Sequence, residues 1–118
     1  MTELDRRRLT RRAALLKSLA HPSRLLIIEM LEKAPRCVGE LTEAVGADIT
    51  TVSKHLSVMK RAGLVRDEKR GTFSEYSLVC DCVTHMVDCI EAGMEARPPG
   101  SAAAAAGARR RKSCGVAR

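Results

Sequence analysis

The sequence predicts a mainly α-helical domain that carries one small β-hairpin. Three observations predict it. Apolar residues recur at helical spacing along five segments of the first 96 residues. A sixth segment, "LVRDEKRGTFSEYSLV", reads as two short runs around a glycine turn. The apolar complement is aliphatic: the 118-residue chain has no tryptophan, one phenylalanine and one tyrosine, so Leu, Ile, Val and Ala must build the core. That length suits one domain with one modest core.

Residues 3–20 read as a first helix, with Leu4, Leu9, Leu15, Leu16 and Leu19 on one side and Arg6, Arg7, Arg8, Arg11 and Arg12 on the other. His21-Pro22 breaks it, since a residue before proline avoids the helical region. Proline then opens a second helix from Pro22 to about Lys33. Its apolar set, Leu25, Leu26, Ile27, Ile28, Met30 and Leu31, runs nearly all round, so burial is expected. Ala34-Pro35-Arg36 reads as a turn. A short third helix covers Val38–Val45, with Glu40 placed to reach back to the backbone N–H of Cys37 and Gly46 as a left-handed stop. Asp48 suits the N-cap of a fourth helix, Ile49–Ala62, which Gly63 ends. Two helices joined through a glycine-containing turn make a helix-turn-helix signal. Strands are expected near Leu64–Glu68 and Phe73–Val79, around a turn at Lys69–Thr72 in which Gly71 is free to take positive φ. A last helix runs from about Asp81 to Met94, apolar at Val83, Met86, Val87, Ile90 and Met94.

The domain is expected to span residues 1–96, followed by a disordered basic tail over 97–118. The net charge of +7 is mostly this tail, which holds six basic residues and no acid and leaves +1 for residues 1–96. Charge alone therefore does not argue that the folded part binds nucleic acid. The N-terminal residues show no uninterrupted apolar run, so neither an export signal nor a membrane span is expected, and the expected location is the cytoplasm.

The fourth helix makes the argument that net charge cannot. Ile49, Val52, Leu56 and Met59 fall at helical spacing and are expected to face the core. Thr50, Thr51, Ser53, Lys54, Ser57, Lys60 and Arg61 are left outward. Short hydroxyls beside long cations suit a major groove, where they reach phosphates and base edges. Taken alone, the same pattern fits a solvated amphipathic helix. The order of short helix, glycine turn, helix and basic-tipped hairpin shifts the reading to DNA, with Arg66, Lys69 and Arg70 beside the reading helix.

The stretches "LKSLAHPSRLLIIEML", "CVGEL" and "TTVSKHLSVMKRAGLVRDEKRGTFSEYSL", in that order over roughly Leu16–Leu78, resemble the ArsR/SmtB family of bacterial winged helix-turn-helix repressors. The resemblance implies a homodimer through the first and last helices, bound to an inverted-repeat operator in double-stranded DNA until an inducer releases it. Matched by position, Ser53, Lys54 and His55 occupy the family's Ser-x-His core of the recognition helix. Asp48-Ile49 stands where many relatives have Ser-Gln. An acid and an aliphatic are poor phosphate partners, so base readout is expected further along, at Thr50, Thr51 and Lys54.

Five cysteines are an odd number, and three of them, Cys80, Cys82 and Cys89, crowd into ten residues. In a reducing compartment such a cluster points to a soft-ion or redox site rather than a disulfide framework. Thiolates favour thiophilic ions, and trivalent arsenic and antimony take three sulfurs in a pyramid. Cys82 and Cys89 stand two helical turns apart, about 10 Å, so one ion needs a bend or a thiol from elsewhere to reach both. The resemblance adds that arsenite-responsive members hold Cys-Val-Cys-Asp-Leu where this chain has Cys37-Val38-Gly39-Glu40-Leu41. One thiol is absent there, and the Cys80, Cys82 and Cys89 set is similar to sites that other members have moved to the wing-helix junction or the C-terminal region. Cys37, His85 and Cys114 are weaker candidate ligands. The expectation is a repressor released by As(III) or Sb(III), with no organic cofactor, no enzymatic role and no membrane partner. Redox or persulfide sensing and Cd(II) or Pb(II) sensing are the alternatives on the same fold. A thiol oxidoreductase using Cys80 and Cys82 lacks a βαβ frame around the pair, and a nonspecific DNA-coating protein would act through its tail.

Overall fold

The computed structural model describes residues 1–96. The chain forms two units, Met1–Cys80 and a second that begins at Asp81. The first unit holds α1 (Glu3–Lys17), α2 (Pro22–Lys33), β1 (Arg36–Cys37), α3 (Val38–Val45), α4 (Ile49–Arg61), β2 (Val65–Arg70) and β3 (Phe73–Leu78). The second holds α5 (Val83–Ala96).

The helix boundaries follow local chemistry. Asp5 N–H donates to the Thr2 hydroxyl while the Asp5 carboxylate takes the Thr2 N–H, which caps α1. His21 Nδ1 accepts the Ser23 N–H at 3.0 Å and Pro22 fills the first turn of α2. The Glu40 carboxylate accepts the Cys37 N–H at 3.0 Å, as the spacing predicts. This bond is the main cause that holds the Glu40 carboxyl below its usual range. Gly46 takes φ 78 between α3 and α4, a left-handed turn that a β-carbon would strain. Asp48 Oδ1 accepts the Thr51 N–H at 3.2 Å and starts α4.

In α5, Val83 is buried. Within Met1–Cys80 the buried apolar side chains include Leu19 beyond α1, Ile27, Ile28 and Leu31 of α2, Leu41 of α3, Val52, Leu56 and Met59 of α4, and Leu64 and Val65 where β2 begins. These aliphatic side chains set how α4 is rotated about its own axis.

Several expectations are corrected. The hairpin is part of a three-stranded antiparallel sheet of order β1-β3-β2, because Arg36 and Cys37 pair with Tyr76 and Glu75. Two residues carry no alternation that a sequence could show. The wing turn is only Gly71-Thr72: Lys69 and Arg70 extend β2 and pair with Ser74 and Phe73. Gly71 at φ 66 takes the first of the two turn positions. The first helix stops at Lys17, and Leu19 is buried beyond it. In α2 only Ile27, Ile28 and Leu31 are buried, so its apolar set is not enclosed all round. The last helix begins at Val83, after the Cys82 carbonyl, which accepts the Met86 N–H at 3.0 Å. Ile49, expected in the core, is 54% exposed. Cys114 and the tail 97–118 lie outside the described residues.

The two faces of α4 differ in energetic consequence. Leu56→Ala is expected to destabilise the protein by roughly 2–5 kcal/mol through the cavity it leaves. Ile49→Ala is expected to stay within about 0.5 kcal/mol of the parent. Urea denaturation of both variants checks this.

Candidate nucleic-acid interface

The outward side of α4 follows from its buried side. With Val52, Leu56 and Met59 inward, two adjacent rows open at four-residue steps. Ile49, Ser53, Ser57 and Arg61 form one, and Thr50, Lys54 and Val58 form the other. All seven border a single shallow hollow along the helix. The structure thus brings together Thr50, Ser53, Lys54, Ser57 and Arg61, five of the residues that the sequence proposes for DNA. Helix α4 carries three cations, Lys54, Lys60 and Arg61, and no acid between its ends.

The other proposed residues stand apart from those rows. Thr51 is exposed but lies off them, with its N–H taken by Asp48. Lys60 Nζ lies 2.8 Å from Asp67 Oδ1, a bond that ties the end of α4 to β2. Their shared hydrogen bond pushes the Lys60 ammonium up in pKa and holds the Asp67 carboxyl down. Arg70 donates to Glu75 Oε1 at 2.8 Å and to Glu68 Oε1 at 3.2 Å, so two carboxylates already clasp its guanidinium. The wing that reads as basic is balanced in count: Arg66, Lys69 and Arg70 stand against Asp67, Glu68 and Glu75 in the two strands. Lys69 and Arg66 are exposed.

His55 is a correction. It is only 8% exposed and lies on the inner side of α4, not in the open rows. Its Nδ1 accepts the Arg24 Nε–H at 3.0 Å, and Arg24 also donates to the Ser18 carbonyl at 3.2 Å. The rings of His21 and His55 lie 4.4 Å apart. His55 therefore fastens the reading helix to α2 and, through Arg24, to the residue that ends α1. Burial lowers its pKa from the usual 6.5, and the neighbouring His21 and Arg24 add to the effect.

The charge of the folded unit also differs from the sequence reading. Met1–Cys80 holds fifteen basic and ten acidic residues, a net of +5, whereas Asp81–Ala96 holds four acids and no Lys or Arg. The +1 for residues 1–96 hides this split. It becomes visible only once the boundary between the units is known.

The thiols occupy different positions. Cys37 is a half-buried free thiol at the start of α3. Cys80 and Cys82 are exposed between β3 and α5, and Cys89 lies half-buried within α5. Among the described residues no group of three His, Cys, Asp or Glu side chains is arranged to hold a metal ion. No helix among them is long and apolar enough to cross a membrane.

A glycine-turned helix pair, a cationic open face on the second helix and a hairpin tied to its end define a winged helix-turn-helix DNA-binding module. The model of the arsR family of bacterial regulatory proteins matches residues 21–67. The regulator NmtR of Mycobacterium tuberculosis is 36% identical over 85 residues, covering 72% of this chain and 71% of that one. An uncharacterized HTH-type transcriptional regulator of Methanocaldococcus jannaschii is 31% identical over 80 residues, covering 67% and 90%. Among solved structures, a homodimeric winged helix-turn-helix DNA-binding domain from Mycobacterium bovis superposes with TM-score 0.69 at 26% identity, over 80% of this chain and 88% of that one. The repressor BigR of Xylella fastidiosa gives 0.63 at 30%, over 78% and 95%. The chain belongs to the arsR family of bacterial transcriptional regulators.

The buried His55 predicts a pH dependence of stability. Above 6.5 the ring is neutral in both the folded and unfolded chain, and its contribution is fully present. Below that value the unfolded chain takes the proton first, so stability falls as pH drops until the folded ring also titrates. His55→Gln is expected to flatten the fall just below 6.5, read by urea denaturation across pH.

Proposed function

We propose that this chain is a homodimeric repressor, acting in the cytoplasm, that holds an inverted-repeat operator until its thiols are engaged. The observation that carries the DNA reading is the pair of open rows on α4, hydroxyls and cations set outward by an aliphatic inner face. Thr50, Ser53 and Lys54 are placed near the start of the helix, where a recognition helix meets base edges. Ser57 and Arg61 lie further along, and Lys69 on the wing is suited to backbone phosphates.

Dimerisation is supported by apolar surface. None of the residues of α1 is buried, and Leu4, Leu9, Leu15 and Leu16 are exposed on it. On α5, Met86, Ile90 and Met94 are exposed. Two helices with that much apolar surface in water suit an interface, and the similar domain from Mycobacterium bovis is a homodimer. Two-fold symmetry through them would set two α4 helices about 34–36 Å apart, one turn of DNA.

For release we propose that Cys80, Cys82 and Cys89 bind As(III) or Sb(III) as thiolates. The donor chemistry suits a soft trivalent ion. The arrangement is not assembled among the described residues, so binding must draw the sulfurs together. Cys37, His85 and Cys114 are the reserve ligands, and Cd(II) or Pb(II) is the alternative ion. A second reading, release by thiol oxidation or persulfide, is favoured by one observation: Cys80 and Cys82 are both exposed, with one residue between them. There, two thiols lose two electrons and two protons to a cellular oxidant.

Gel-shift titrations test both halves. Lys54→Ala and Arg61→Ala are each expected to weaken operator binding by roughly 1–3 kcal/mol if they reach bases, or to reduce the salt slope by about 1 if they reach phosphate. Arg70→Ala is expected to change less, because its guanidinium is already occupied. Arsenite in strong reductant is expected to release the parent but not the triple Cys80/Cys82/Cys89→Ser variant. Release by oxidant alone selects the redox reading, and equal release of both proteins by arsenite rejects the thiol assignment.

A further inference from the structure

We propose that Ile49 is a specificity-determining residue that reads the 5-methyl group of a thymine in the operator's major groove. This rests on α4 being the DNA-reading helix. Ile49 is the first residue of α4 and is 54% exposed, whereas Val52, Leu56 and Met59 on the same helix are at most 1% exposed. The helix had a core to offer, and Ile49 is not in it. Folding stability therefore does not account for an isoleucine at this position.

Its surroundings say what it is for. Ile49 shares its row with Ser53, Ser57 and Arg61 and borders the same hollow as Thr50 and Lys54. It is an isolated aliphatic among hydroxyls and cations. The other apolar residue at that hollow, Val58, stands nine positions along, more than two turns away. A protein partner would call for a run of apolar residues such as α1 presents. This end of the helix also suits bases better than phosphates. The Asp48 carboxylate, engaged with the Thr51 N–H, adds a negative charge beside Ile49 that a phosphate would avoid.

In the major groove the edges of adenine, guanine and unmodified cytosine offer donors and acceptors, and thymine alone adds a methyl group. An aliphatic side chain gains from that methyl and from nothing else on the four edges. A β-branched residue in a helix is also stiff about its first side-chain torsion, so the methyl groups of Ile49 are held in one direction. The first helical residue would thus fix a thymine, while Thr50, Ser53 and Lys54 bond its neighbours. The sequence reading moved base readout past Ile49 because an aliphatic is a poor phosphate partner, but that property is what fits it to a thymine.

The test uses the full chain and a duplex selected by it from random-sequence DNA. Each thymine of a half-site is replaced singly by deoxyuridine, which lacks only the 5-methyl. One replacement per half-site is expected to weaken parent binding about fourfold, the worth of one buried methyl. Ile49→Ala, with an unchanged unfolding transition, is expected to bind the thymine and uracil duplexes equally. If no replacement weakens the parent, or if the penalty persists in full in Ile49→Ala, the proposal is overturned while α4 remains the reader. If selection enriches no sequence and Lys54→Ala binds DNA like the parent, the reading of α4 itself fails, and this proposal with it.

Discussion

The rotational setting of α4 is the constraint on which the rest of the structure depends. A helix has one low-energy way to bury a single aliphatic stripe, and Val52, Leu56 and Met59 set it, buried in the same core as Leu41 of α3 and Ile27 and Ile28 of α2. Every outward residue then has an assigned direction. Two polar ties hold that setting. His55 is fastened by Arg24 toward α2, and Lys60 by Asp67 toward the wing. Gly46 fixes the turn through which α3 presents α4. The open rows thus follow from the core and its ties, and a change that loosens the core would blur which side chains face DNA.

This dependence explains what the sequence made legible. Caps and stops carry their own chemistry. Asp48, Glu40, Gly46 and Gly71 therefore mark segment boundaries in the sequence, and the structure places each in its expected role. Partnerships across space were not legible. Two-residue β1 has no period to detect. The bases on the wing are visible in sequence, but the carboxylates that clasp Arg70 depend on strand register. Ile49 fits the same spacing as Val52, Leu56 and Met59. At about 100° per residue, however, it lies some 50° from the centre of that stripe and at the free end of the helix. His55 belonged to a family motif for the recognition helix, and nothing in the motif says that its ring turns inward.

The same distinction separates the helix face from the thiols. The proposed DNA-reading face is set by a packed core, lies wholly within Met1–Cys80 and carries the cations Lys54 and Arg61. The thiols lie beyond β3 and in α5, with Cys80 and Cys82 two positions apart. The switch proposed for these cysteines would respond by assembling them around an ion or through a sulfur-sulfur bond. Coupling to operator affinity of a few kcal/mol is enough for regulation.

The most direct measurement of the central claim is backbone amide shift mapping of the isotope-labelled full chain, titrated with its selected operator duplex. The account predicts the largest shifts at Thr50, Ser53, Lys54, Ser57 and Arg61, with Lys69 following and the inner residues Leu41, Val52 and Leu56 nearly still. Shifts concentrated on α1 or α3, with the open rows of α4 unmoved, would contradict it.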